Sequence, residues 1–194
     1  MSEEVTGPRT PDDDWSPDRL PGDLMMWILI ASELAVFGIG LIAFVIAGSL
    51  NPDLFARGRA GLDSALAAIN TMVLLTSGYF AACALEAVRS DNHRKTCLHL
   101  GLAGTLGIGF VVLKWMEYSA KWQAGYGLES DVFQTLYFMI TGFHAAHVVF
   151  GLAILGYAAV YRDRDTVQTA TVFWHMVDLI WLLIFPVIYL MGAA

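Results

Sequence analysis

Five stretches, 24–48, 66–88, 98–116, 133–160 and 171–192, are each long and apolar enough to cross the roughly 30 Å hydrocarbon core of a bilayer as a helix. They occupy most of the 194 residues and leave almost nothing for a soluble domain. The runs lack strict alternation and are rich in Gly and Ala, which favours helices over a β-barrel. The expected fold is therefore all-α: an integral membrane five-helix bundle spanning residues 24–192, with short linkers and no internal repeat.

The remaining 1–23 segment holds four of the six prolines and seven of the eighteen acidic residues, and has no basic stretch preceding an apolar core. It reads as a disordered acidic tail rather than a secretory signal. The net charge of -7 is thus largely a property of the tail, and nucleic acid is excluded as a partner. The two cysteines, Cys83 and Cys97, flank one expected cytoplasmic loop, where no disulfide is anticipated.

Lys and Arg in the connections set the expected orientation. Seven fall on one side: Arg9, Arg19, Arg89, Arg94, Lys95, Arg162 and Arg164. Four fall on the other: Arg57, Arg59, Lys114 and Lys121. The bias puts the N-terminus in the cytoplasm and the C-terminus outside. Arg89, Arg94, Arg162 and Arg164 are candidates for contact with anionic lipid headgroups.

An ionisable group at bilayer depth costs at least a few kcal/mol and so normally finds a partner. Five such groups stand out: Glu33 on the first span, His144 and His147 on the fourth, and His175 and Asp178 on the fifth. At about 1.5 Å per residue, Glu33 and His144 come out roughly 14 Å from the cytoplasmic boundary and the other three at roughly 6 to 10 Å. They are expected to form one buried polar cluster, with Glu33 bonded to His144 or to a group such as Ser77. Interhelical hydrogen bonding is one role open to the histidines, and metal or haem ligation another. No Cys-x-x-Cys-His, His-Glu-x-x-His or Glu-x-x-His pattern supports a metal, and no nucleophile or phosphate-cradling loop supports catalysis. Gly38, Gly40, Gly101, Gly104, Gly107 and Gly109 are expected to permit close helix approach, Trp174 and Trp181 to share a packing face or mark an interface, and Pro186 to kink the last span.

Four stretches in order, "MMWILIASELAVFG", "LKWMEYSAKW", "FMITGFHAAHVVFG" and "FWHMVDLIWLLIFPVIYLMG", resemble subunit III of the haem-copper oxidases, the family that includes cytochrome c oxidase and quinol oxidase subunit III. The resemblance covers most of residues 20–192. It implies a non-catalytic subunit that binds no haem or copper itself, packs against the catalytic subunit that does, holds phospholipid between helices, and supports stability and proton uptake. Glu33 matches the family's carbodiimide-reactive glutamate, and His144 and His147 match histidines near it. Mitochondrial-type members have seven spans, and this chain resembles the shorter bacterial form. Five-span relatives of the accessory protein of bacterial nitric oxide reductase are similar too, so the resemblance leaves the partner open between an oxidase and that reductase. A small membrane haem protein and a proton-coupled transporter using Glu33 are the competing functions. Two histidines would clamp the haem in the first; inverted repeats and broken helices, neither apparent here, would mark the second.

Overall fold

The computed structural model describes residues 24–191. The acidic 1–23 segment lies outside them. The described residues form six α-helices in chain order: α1 (Leu24–Leu50), α2 (Pro52–Ala60), α3 (Ser64–Arg89), α4 (His93–Gln123), α5 (Val132–Tyr161) and α6 (Arg164–Phe185). A π-helical turn, Pro186–Leu190, continues α6. α1, α3, α4, α5 and the continuous Arg164–Leu190 segment are each long and apolar enough to span a membrane. The helices run past the apolar stretches that mark them, most of all in α4, which starts at His93 and ends at Gln123. The short helix α2 was not expected in the first connection.

Local chemistry explains where the spans start. Asp63, Asn92, Asp131 and Asp163 stand immediately before α3, α4, α5 and α6, and each side chain accepts the backbone N–H three residues on, at 2.8–3.1 Å. Those bonds satisfy N–H groups that the first helical turn leaves free. At the other end of α5, Arg162 adopts a left-handed φ of 55° and closes the helix by donating its N–H to Ala158 O. Pro186 lacks an N–H, and the chain widens to π geometry there, with Met191 N–H donating to Pro186 O.

The helices α3, α4, α5 and α6 pack around one another, and α1 lies outside against α5 and α6. α6 is the most enclosed span. Its two indoles lock it in place. Trp174 occupies a slot where a Cβ on Gly107 of α4 would meet the ring at 2.7 Å and one on Gly151 of α5 would meet it at 2.8 Å. Trp174 Nε1 donates to Ser77 Oγ of α3 at 3.0 Å, and Ser77 in turn donates to Ala103 O of α4 at 2.7 Å. Two turns later Trp181 Nε1 donates to Thr71 Oγ1 at 2.9 Å. Both indoles are buried, so they form one packing face and mark no interface. Of the six glycines singled out above, Gly107 alone meets a close neighbour. Gly38, Gly101 and Gly104 face open space, and Gly40 and Gly109 have ordinary van der Waals room.

Candidate functional site

The five candidate groups occupy three places. The first is the groove between α1 and α5. Here Glu33 Oε2 lies 3.2 Å from His147 Nε2, with 23% and 15% of the side chains exposed. His147 Nδ1 lies 2.8 Å from Phe143 O, a carbonyl that can only accept. That contact fixes the tautomer with the proton on Nδ1 and turns Nε2 toward the carboxyl. Bonding across Nε2 and Oε2 then requires one further proton, carried by Glu33 or by the imidazole. Phe37 and Phe143 flank the His147 ring edge-on at 5.6 and 4.6 Å and limit its water. The expected bond between Glu33 and His144 is absent, and so is one to Ser77: one turn of α5 separates the two histidines, and His147 faces α1.

His144 is in the second place, the core. It is fully buried, and neither ring nitrogen has a hydrogen-bond partner among the described residues. Its ring stacks on Trp181 at 5.1 Å and meets the edge of Phe110 at 5.7 Å. His144 packs here as a flat aromatic surface.

The third place is the seam of α3 and α6. His175 Nδ1 lies 3.6 Å from Asp178 Oδ2 one turn along α6, and 47% of the histidine side chain is exposed while 7% of the aspartate is. Asp178 presses on Gly78 of α3, where a Cβ would overlap Oδ2. The five groups therefore do not share one cluster, and His175 turns outward.

Sequence reasoning missed a fourth place. Lys114 and Lys121, expected near the third connection on the outer side, point inward and are 2% and 7% exposed. Lys114 Nζ donates to Glu117 Oε2 at 2.9 Å, Tyr137 OH at 3.2 Å and Tyr189 OH at 2.5 Å. Glu117 Oε1 accepts from both tyrosines, at 2.6 and 2.7 Å. Tyr118 donates to Thr141 beside them. The network ties α4, α5 and the π turn together at the end of the bundle that carries α2. A signal was present: Lys114 and Glu117 are three residues apart, so they share a helix face, and two charges on one face inside a span form a pair.

At the opposite end, a groove of about 700 Å³ brings Arg94 and Arg162 together over Gly101 and Thr105. Arg89 is elsewhere, beside Glu86 at 4.0 Å, and Arg164 does not line the groove. Both cysteines are free. No group of three or more His, Cys, Asp or Glu side chains among the described residues is placed to hold a metal ion.

Fold and site together define a multi-pass helical membrane protein with ionisable groups inside its spans, paired along one helix at Lys114–Glu117 and between two at Glu33–His147. The sequence matches the family model "Cytochrome c oxidase subunit III" over residues 24–193, and the chain belongs to that family. It is thus an accessory subunit of a haem-copper oxidase. It is 30% identical over 187 residues to cytochrome c oxidase subunit 3 of Alkalihalophilus pseudofirmus, covering 88% of this chain and 86% of that one. The corresponding protein of Synechocystis is 27% identical over 183 residues, covering 87% and 76%. The haem-copper oxidase subunit I+III of Aeropyrum pernix is 32% identical over 181 residues, which cover 85% of this chain and only 22% of that protein.

Proposed function

We propose that this subunit sustains turnover of the oxidase's catalytic subunit through the protonatable Glu33–His147 pair, in a bacterial inner membrane. The observation that carries this reading is the 3.2 Å contact between a carboxyl and an imidazole whose other nitrogen is held by a backbone carbonyl. Such a pair stays neutral overall while one proton moves between two atoms, so it exchanges protons at membrane depth without a lone charge. Haem and copper belong to the catalytic partner in this reading. The names of the relatives, cytochrome c oxidase subunit 3, favour an oxidase over a nitric oxide reductase.

Orientation follows the exposed cations. With Lys114 and Lys121 withdrawn into the fold, Arg89, Arg94, Lys95, Arg162 and Arg164 are exposed at the end where α1 begins, and among the described residues only the exposed Arg57 and the half-buried Arg59 stand against them at the other. That asymmetry supports placing the start of α1 in the cytoplasm. Arg94 and Arg162 are the pair best placed for an anionic headgroup on that side.

The test is Glu33→Gln in the tagged chain, recovered from its native membrane with its partner and assayed for oxygen and for nitric oxide reduction. The variant is expected to slow oxygen turnover or hasten its decay. Unchanged turnover and unchanged decay at every pH would refute the role given to the pair, and activity toward nitric oxide alone would move the chain to the reductase.

A further inference from the structure

The groove between the start of α4 and the end of α5 has a basic rim and no carboxylate in its lining. Arg94 and Arg162 stand there with His93 beside them. Both arginines are exposed, and no carboxylate of the described residues lies within 4.0 Å of either guanidinium. Arg162 makes one bond, from Nε to Val160 O at 3.4 Å. The acids at this end are used or turned elsewhere. Glu86 is beside Arg89, Asp163 accepts the Thr166 N–H that opens α6, and neither Asp91 nor Asp165 lines the groove.

The same end of the bundle holds α1 loosely. The buried residues of α1, Phe37, Leu41 and Phe44, all lie in its second half. In the first half, Met25, Met26 and Leu29 border a gap of about 540 Å³ against Asp165, Gln168 and Thr169 of α6. The chain that leads into this loosely held start is acidic. Within residues 1–23, outside the described residues, Asp12, Asp13 and Asp14 are consecutive, and no base falls between Arg9 and Arg19. The ten residues from Asp14 to Leu24 can reach up to about 33–36 Å. Arg162 is three residues before Asp165, so at most about 11 Å of chain separates it from the gap beside Met25.

We propose that Asp12, Asp13 and Asp14 dock on Arg94 and Arg162, and that this contact anchors the start of α1. Carboxylates meet guanidiniums through paired, charge-assisted hydrogen bonds. Trp15, next in the chain, carries an indole suited to Leu98 and Leu102, where the groove turns apolar. Exposed ion pairs are individually weak, but a short tether supplies an effective concentration of millimolar order. That favours the chain's own acids over an untethered anion, so the two guanidiniums best placed for a lipid headgroup are held first by the chain itself. The contact is independent of the role given to Glu33 and would stand if Glu33→Gln left turnover unchanged.

The native, exposed Cys97 lines the groove and serves as the probe. Pro11→Cys is introduced with Cys83→Ser in the full chain, which keeps all three aspartates, and the complex in its native membrane is treated with a mild oxidant. Mass spectrometry of the digested protein should find a disulfide between the introduced thiol and Cys97 of the same chain. Arg94→Gln with Arg162→Gln, both at exposed positions, should slow its formation about tenfold, the loss of two exposed ion pairs at the upper end of their usual strength. Raising the salt to about 1 M, where the Debye length is about 3 Å, should slow it similarly. No disulfide, or one formed at the same rate in the arginine variants and at high salt, overturns the proposal. A disulfide that forms only after phospholipid is stripped in detergent gives the groove to lipid and overturns it as well.

Discussion

Lys114 Nζ lies 2.9 Å from Glu117 Oε2, one turn along α4, with the lysine side chain 2% exposed and the glutamate 10%. Two tyrosines from other elements, Tyr137 and Tyr189, close the remaining positions around the pair. The network therefore fixes the α4 end, the start of α5 and the π turn relative to one another.

Removing one member should cost more than removing both. Lys114→Met leaves Glu117 buried against two hydroxyls without its cation, a loss expected at about 3–5 kcal/mol. Adding Glu117→Gln to Lys114→Met removes the orphaned charge and should restore part of that loss. Thermal unfolding of the three variants in one detergent measures the coupling. A double-variant loss equal to the sum of the two single losses would show that the charges do not interact.

The two histidines of α5 should separate by substitution. His144 makes no hydrogen bond among the described residues and packs as a ring against Trp181, Phe110 and Phe37, so His144→Phe should cost less than about 1.5 kcal/mol. His147→Phe strands Glu33 and should behave like Glu33→Gln in oxidase turnover. If His144→Phe proves the more damaging to turnover, the assignment of the protonatable pair is wrong.

Glycine substitutions provide a test of packing alone. Gly107→Ala drives a methyl to 2.7 Å from the buried Trp174 ring and should lower the melting temperature, at a cost of about 1–3 kcal/mol. Gly78→Ala meets Asp178 and should displace its carboxylate. Gly101→Ala and Gly104→Ala face open space and should be neutral to slightly stabilising, provided the partner does not cover that side. Recovery of the subunit within the oxidase complex, compared with melting of the isolated chain, separates the two effects.

Trp174 and Trp181 each donate one hydrogen bond to α3. Ser77→Ala and Thr71→Val should each cost about 0.6 kcal/mol and at most about 2, the range for interhelical bonds inside a bilayer. Trp174→Ala should cost several times more, because it also empties the slot between Gly107 and Gly151. Unfolding in a mixed-detergent series would rank the three.

Much of the architecture was legible in the chain. Apolar runs of about span length, separated by Asp and Asn caps, fix the number and direction of the long helices, because a lipid-facing backbone must bond to itself. The same logic flagged Glu33, His147 and Asp178 as residues in need of partners. The tertiary structure decided which partners they found. The relative rotation of α1 and α5 turns Glu33 toward His147 rather than His144, and no periodicity within one helix encodes that angle. It also drew Lys114 and Lys121 inward, since a long side chain near a helix end can reach either water or the core, and tyrosines from α5 and the π turn made the core reachable. Sequence determined which groups were costly to leave alone in the membrane; packing, which acts through helix rotation and close approach, determined that Glu33 meets His147 while His144 meets only aromatic rings.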